Sequence, residues 1–261
     1  MPLLTRRQLL AWAVGFGLGG GRPARAAVQR RTVPFAADVE LLYGTLSFHV
    51  SGTIEESVDR AAGVYDVAVA GRGDGIETTV EGSGVLRGGR WAPRRTAAFF
   101  LVHGRETRSN IDYDHDRRQV AYRSRSETFF LRRIRAADDR LTVPPGVHVD
   151  DVLSATLNYA DGLWPAEPDG SLRTHVVRRQ RAAGEGPDDV QRSYQAELVP
   201  LVLRIQPDRD AGRTTALFDM TRFSSWARED RPARIVFGPG RRPETITSSL
   251  VLGTSFSIRI G

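Results

Sequence analysis

The chain has 261 residues, of which 37 are basic and 31 acidic, and its formal net charge is +6. Every basic residue is arginine and there is no cysteine, which excludes disulfides, thiolate metal sites and cysteine nucleophiles. The length suits one large β domain or two small ones. The basic excess is small and gives little support for nucleic-acid binding, which needs a clustered basic face.

The N-terminus carries the pattern of an export signal. Arg6-Arg7 forms a twin-arginine motif before a short apolar run, residues 9–20, and Ala24-Arg25-Ala26 has the form of a cleavage site. As a helix, the run would extend about 18 Å, against roughly 30 Å of hydrocarbon core. We therefore predict a removable twin-arginine signal peptide over residues 1–26 and a soluble periplasmic product without an integral membrane span. Cleavage near Ala26 would remove four arginines and no acid, leaving a net charge of about +2.

The mature chain reads mainly as β-strands. Residues 27–38 are predicted to form a flexible leader, and residues 39–261 a single β-rich domain. A first strand is predicted from Leu41 to about Gly52, where apolar and polar residues alternate with period two. Similar patterns between glycine- and proline-rich turns predict further strands around residues 65–69, 76–84, 99–101, 111–113, 120–122, 172–180, 194–205, 213–218, 233–237 and 250–260.

Two connecting segments also carry clear patterns. Pro93 helps to bracket a turn after Gly88-Gly89, and Gly238-Pro239-Gly240 is a hairpin turn. The Ala182–Asp189 segment has no apolar anchor and is predicted to be a mobile loop.

One convincing helix interrupts the strands, over residues 149–163. Its apolar residues recur at helical spacing, Asp150 is the predicted N-cap, and Gly162 stands where a left-handed C-cap residue belongs. Val152, Leu153 and Leu157 are its predicted core residues. A lone helix among strands needs a sheet to pack against.

Ten or eleven strands are too many for a flat sheet with one polar face. The expected fold is mainly β, with an antiparallel, strongly curved sheet forming an open or closed β-barrel and one short helix packed against it. The alternative is a two-sheet sandwich that leaves the helix as a peripheral crossover.

No motif in the chain specifies a catalytic or metal site. Asp112, Asp114 and Asp116 alternate, but an EF-hand loop counted from Asp112 would have arginine at its sixth and twelfth positions, so a β-hairpin turn over residues 114–117 is predicted instead. The five histidines lack the short spacing of a metal pair. We predict no catalytic, cofactor-binding or metal-binding residue, and no cofactor.

Three weaker patterns have structural explanations. Ser154 lacks the Gly-x-Ser-x-Gly elbow, and a hydrolase would need the fold to bring His148 or His175 to it. Asp150 and Asp151, as adjacent helical positions, would point about 100° apart, which favours capping over paired acid chemistry. The Arg-dense segment 117–135 reads as a solvated strand face, with an anionic-ligand or lipid-headgroup patch as the alternative.

A block of residues at the helix resembles a known family. Pro145-Gly146 followed by Asp150-Asp151-Val152-Leu153-Ser154-Ala155 is similar to the helix block of an exported bacterial family, domain of unknown function 3108. The chain departs from that pattern at Tyr159-Ala160-Asp161 and over residues 165–193. Further positions resemble the family in order: Tyr43-Gly44, Gly63-Val64-Tyr65, Gly82-Ser83-Gly84 to Pro93-Arg94, Ile111-Asp112, and Trp226 followed by Asp230, Pro232, Arg234 and Ile235.

The resemblance implies a periplasmic β-rich envelope protein and brings no established activity. Three hypotheses remain open. The first is a non-enzymatic protein that binds a lipid or other apolar ligand in cell-envelope maintenance, and it requires a pocket of at least about 300 Å³. The second is a structural or protein-interaction module with a filled interior. The third, a hydrolase using Ser154 or the acids, needs His and Asp within hydrogen-bond reach.

Overall fold

The computed structural model describes residues 28–41, 43, 45–128, 131–182, 184–186, 188–207, 212–224, 227–228, 230–250 and 253–261. The predicted signal peptide and Trp226 lie outside these residues.

The described residues form one antiparallel sheet of 14 strands and one helix. The helix, α1, spans Val152–Ala160 and joins β8 to β9. The strands are β1 (Gln29–Leu41), β2 (Leu46–Asp59), β3 (Val64–Gly73), β4 (Ile76–Arg87), β5 (Arg90–Val102), β6 (Arg105–Asp114), β7 (Gln119–Glu127), β8 (Ile134–Thr142), β9 (Leu172–Arg179), β10 (Ala196–Pro207), β11 (Thr214–Phe218), β12 (Ala233–Phe237), β13 (Pro243–Ser249) and β14 (Ser255–Ile260).

The sheet curls into a nearly closed barrel. Its strand order, β8-β7-β6-β5-β4-β3-β2-β1-β14-β13-β12-β11-β10-β9, is a meander in which β1 pairs with both β2 and β14. The two edges, β8 and β9, are joined by other means. Tyr194 bridges to Ala137, Val149 bridges to His175, and the Ala196 N–H donates to the Asp139 carboxylate at 2.8 Å. The expected curved antiparallel fold is confirmed, and the sandwich alternative is wrong because all strands belong to one sheet.

The barrel has two different ends. We call the end that holds α1 the floor; the β2–β3, β4–β5 and β12–β13 turns lie there. We call the other end the mouth; it carries the β1–β2, β3–β4 and β5–β6 turns. Buried clusters around Val120, Trp91 and Phe237 pack the floor half and include α1 residues such as Leu157 and Tyr159.

Three strands were missed by sequence pattern, namely β1, β8 and β13. The predicted leader over residues 27–38 is wrong from Gln29 onward, because β1 pairs along its whole length with β2. The predicted first strand corresponds to β2, which begins at Leu46. The predicted strand over residues 250–260 shortens to β14, and β13 precedes it.

The predicted turns have mixed outcomes. The Asp114–Arg117 turn joins β6 to β7, with the Arg117 N–H donating to the Asp114 carboxylate, and the turn at Gly238 joins β12 to β13. Pro93 instead lies inside β5, opposite Gly84, where the register shifts. Such a bulge tolerates proline because a ladder hydrogen bond is already lost there.

The segment predicted to be a mobile loop contains a buried anchor. Glu185 is buried and ion-paired with Arg179 and Arg135. Burial opposes the charge of this carboxyl, but the hydrogen bonds from Arg179 and the Ala182 N–H and the charges of Arg179 and Arg135 together outweigh it, so the pKa of Glu185 lies below its ordinary value. The ion pairs of Glu185 hold the described part of this segment beside β8.

Among the described residues, no helix combines the length and the apolar character needed to cross a membrane.

Candidate ligand-binding cavity

The helix lies inside the barrel and is anchored to β5. The Trp91 N–H donates to the Asn158 side-chain oxygen, and the Asn158 amide donates to the Trp91 carbonyl, both at 2.8 Å. Because β6 pairs with β5 only from Arg95 onward, the Asn158 amide takes the place of a neighbouring strand at Trp91. The Trp91 indole N–H also donates to Asp161, at 2.9 Å, just after the helix ends.

Asp150 is the centre of a buried polar network on the floor. Its carboxylate accepts hydrogen bonds from Ser154 Oγ at 2.8 Å and Asn158 Nδ2 at 2.9 Å. It also accepts from Thr174 Oγ1 at 2.6 Å and Arg90 Nη2 at 3.0 Å. The carboxylate has no exposed surface, so these donors replace water completely. The network ties α1 to β5 and β9.

Asp151, not Asp150, is the N-cap of α1. Its carboxylate accepts from the Ser154 N–H at 2.6 Å, and its own N–H donates to Ser154 Oγ at 3.0 Å, which makes a reciprocal capping box. Thr96 donates to the second carboxylate oxygen. Burial nevertheless raises the pKa of Asp151 above its ordinary value. The two aspartates, expected to point apart, thus meet at Ser154.

Ser154 has a structural role in this arrangement. Its side chain is fully buried and its hydroxyl donates to Asp150. The His148 ring lies 3.3 Å from the same carboxylate, and no described hydrogen bond joins His148 or His175 to Ser154. A serine nucleophile needs a base that takes up its proton and access to substrate; the Ser154 hydroxyl contacts no histidine among the described hydrogen bonds, and its side chain is fully buried. Within the described residues, no group of three or more acidic or histidine side chains is placed to hold a metal.

Two glycines on β4 make room for the floor. A Cβ on Gly82 would lie 2.5 Å from Leu153 Cδ1, and one on Gly84 would overlap the Tyr65 ring and the Ala92 carbonyl. The Gly82-Ser83-Gly84 pattern is therefore a packing feature that lets α1 and Tyr65 approach the strand. Burial, with the charges of the nearby aspartates, raises the pKa of the Tyr65 hydroxyl.

Above the floor the lumen is open and apolar. One cavity, which we call lobe A, has a volume of about 530 Å³; the other, lobe B, has about 420 Å³. Lobe A lies against β1–β5, β13 and β14, with a lining that includes Phe35, Val39, Phe48, Val69, Ile258 and Ile260. Lobe B lies against β4–β6 and β9–β13, with a lining that includes Ala98, Ile111, Val176, Leu201, Phe218 and Phe223.

The few charged groups at the lobes are already paired. Glu56 lines lobe A and accepts two hydrogen bonds from Arg242, at 2.6 and 2.8 Å. Asp150 and Asp151 line lobe B and are held by the floor network. A polar ligand therefore finds few free partners there, whereas an apolar one meets a continuous hydrocarbon wall.

The clefts outside the barrel have a different character. A groove of about 540 Å³ on the outer face of β1–β5 is lined by charges of both signs, including Glu55, Asp66, Glu81 and Arg95. The Arg-dense segment 117–135 also carries its own acidic partners, as in the Arg132–Glu127 and Arg123–Asp138 pairs. Neither surface offers the single-signed field that an anionic partner needs.

Fold and site together define an antiparallel β-barrel whose floor is an internal helix and whose lumen is apolar. No family model and no curated protein matches the chain. Among solved structures, it is similar to a protein from Brucella abortus described as a beta-barrel-like protein of domain of unknown function DUF1849. The two chains share 10% identity at a TM-score of 0.40, over 90% of this chain and 96% of the other.

The lumen is the pocket that the first sequence-based hypothesis requires, although no sequence pattern predicts its size or shape. Alternation identifies many of the residues that face inward, including Phe48, Val67 and Val69, but it does not separate residues that line a cavity from residues that pack in a core. Val152, a predicted core residue, is 65% exposed because it projects into both lobes. Leu157 is buried as expected.

Proposed function

We propose that the protein is a non-enzymatic periplasmic binding protein that holds a lipid or another apolar ligand in its lumen and serves in cell-envelope maintenance. The observation that carries the proposal is the pair of apolar cavities above the helical floor. Their volumes, about 530 and 420 Å³, fall in the range of about 300–1,000 Å³ that is usual for small-molecule sites.

The exposure of apolar side chains inside the barrel supports a ligand. Val152 is 65% exposed and Phe100 40% exposed, and both line the two lobes. Apolar surface left in contact with water costs about 25 cal/mol for each Å². A ligand that covered these walls would recover that free energy, whereas a structural module would be expected to fill its interior with its own side chains.

Export is the second part of the proposal. The twin-arginine pattern and the short apolar run in residues 1–26 support passage across the inner membrane, and the resemblance of the helix block to domain of unknown function 3108 points to the same compartment. An extracytoplasmic location would place the lumen next to membranes that supply apolar molecules.

The test is native mass spectrometry of the chain purified from the periplasmic fraction, followed by lipid extraction. We expect a bound apolar molecule in the wild type and its loss in Val80→Arg, because Val80 lines both lobes. Thr79→Arg, its neighbour on the outer face of β4, is the matched control and should retain the ligand. Circular dichroism checks that both variants fold.

Other results of the same experiment would count against the proposal. A wild-type chain that is recovered without ligand, and that takes up none of the added lipids, would contradict ligand binding. Self-association of such an apo protein would favour the structural-module alternative.

A further inference from the structure

Lobes A and B share a dividing set of six residues. Val152 and Thr156 come from α1, Val80 and Phe100 from β4 and β5, and Pro243 and Ile246 from β13. Along the sheet, β13 lies five positions from β4 and six from β5. The six shared residues therefore come from two separate parts of the barrel wall and from the helix between them. The lumen is therefore divided lengthwise at the start of α1.

From this division we infer that the ligand is a lipid with two hydrocarbon chains, one in each lobe, that straddles the first turn of α1. The inference rests on the proposed function, because it assumes that the lumen binds an apolar ligand. It specifies the class of ligand: an amphiphile with two hydrocarbon chains is favoured over a free fatty acid or a compact ring system.

Val152 and Thr156 of α1 lie between the lobes and form what we call the ridge. The ridge is apolar although it contains a threonine. The Thr156 hydroxyl donates to the Val152 carbonyl one turn earlier, at 2.7 Å, so its hydrogen-bonding demand is met within the helix. The threonine methyl and the exposed Val152 side chain thus present hydrocarbon to both lobes. A branched chain pair would cover this ridge, whereas a single straight chain would leave one lobe and part of the ridge in water.

The polar network at the floor determines which end of the ligand lies there. The carboxylates of Asp150 and Asp151 already accept hydrogen bonds from protein donors, and Glu56 is paired with Arg242. A headgroup placed at the floor would have to displace these bonds. The chain ends therefore lie toward the floor and the headgroup toward the mouth, where His103 lies at the rim of lobe A in the β5–β6 turn.

The test counts bound chains with two probes that have the same acyl group. Delipidated protein is mixed with palmitate or with dipalmitoyl phosphatidylglycerol, and the complexes are counted by native mass spectrometry. We expect two palmitates for each wild-type chain at saturation, or one dipalmitoyl lipid. The dipalmitoyl lipid should also displace both palmitates.

Filling one lobe at a time sharpens the test. Val69→Trp blocks lobe A and Ala98→Trp blocks lobe B, because each position lines only that lobe. Each variant should keep one palmitate and bind the dipalmitoyl lipid about 200-fold less tightly or worse, since each methylene group left in water weakens binding by about fourfold and several are excluded.

Each filling variant has an adjacent control on the outer face. Ala70→Trp and Ala97→Trp place the same side chain on the same strands outside the lumen, and both should bind as the wild type does. If a Trp variant does not fold, Val69→Phe or Ala98→Leu provides a smaller filler with the same expected direction.

The outcomes separate this inference from the function it rests on. One palmitate in the wild type, or complete loss of palmitate in either filling variant, would show a single undivided site and overturn the two-chain ligand while leaving apolar binding intact. Binding of neither probe, together with recovery of an empty chain from the periplasm, would overturn the proposed function as well.

Discussion

Replacing Asp150 by Asn tests whether the floor depends on one buried carboxylate. Four side chains donate hydrogen bonds to the Asp150 carboxylate, namely Ser154, Asn158, Thr174 and Arg90, and a ring nitrogen of His148 lies 3.3 Å from it. An asparagine has the same shape, but one of its two acceptor positions becomes an NH₂ group. Whichever way the new amide turns, its NH₂ group faces either Asn158 Nδ2 or Arg90 Nη2, and neither nitrogen can accept a hydrogen bond.

The expected loss is large because Arg90 is also buried. Its side chain is 14% exposed and Asp150 is its charge partner, and burial already lowers the pKa of this guanidinium. Removing one member of a buried ion pair typically costs about 3–5 kcal/mol. Since a domain is usually stable by only about 5–15 kcal/mol, Asp150→Asn should remove about a fifth or more of the free energy of unfolding.

Urea denaturation measures this loss, read as a shift of the midpoint at unchanged slope. Asp151→Asn is the matched control and should cost less than about 1 kcal/mol, because asparagine is an equally good N-cap and burial already disfavours the Asp151 charge. Equal losses in the two variants, or a loss below about 1 kcal/mol for Asp150→Asn, would refute the reasoning.

Asp161→Asn should cost about 1 kcal/mol near neutral pH. Burial alone would raise the pKa of Asp161, but hydrogen bonds from Arg60 and Trp91 hold it below its ordinary value. The stability advantage of the wild type in thermal melts should therefore fade as the pH falls below about 4. A difference that stays constant with pH would contradict this. Gly84→Ala should cost about 1–3 kcal/mol in the same melts, because the added carbon overlaps backbone. Replacing the Arg6-Arg7 pair by lysines should leave the precursor in the cytoplasmic fraction, whereas undiminished periplasmic protein would argue against twin-arginine export.

Periodicity predicted most of the strands that carry large apolar residues and missed β8 and β13, which carry few. It also missed β1, although Phe35, Val39 and Leu41 alternate there with polar or small residues. β2 and β3 alternate clearly, with Phe48, Val50 and Val67 inside. β8 places alanines and charges in a row, and β13 is mostly threonine and serine around one isoleucine. Their place in the sheet is decided by pairing with neighbouring strands, which no local pattern reveals.

The floor network shows a different limit. Asp150 and Asp151 were expected to diverge because adjacent helical residues point about 100° apart. The helix begins at Val152, three residues after the predicted start at residue 149, and its N-cap is Asp151 in place of Asp150. Asp151 has an extended backbone, with φ −102° and ψ −179°. Helical geometry therefore does not apply to the pair, and both carboxylates reach Ser154. An error of one residue in the position of the N-cap was enough to hide the arrangement.

The missed strands also bear on the size of the cavity. The diameter of a barrel grows with its number of strands, and about eight strands enclose a space that side chains alone can fill. With 14 strands, the inward residues of opposite walls no longer meet. The single helix fills the floor half, where Trp91 and Leu157 are buried, and leaves the mouth half open. The three missed strands thus make the lumen wider than the predicted strand number implies, and the property on which the proposed function rests follows from strand number more than from any single side chain.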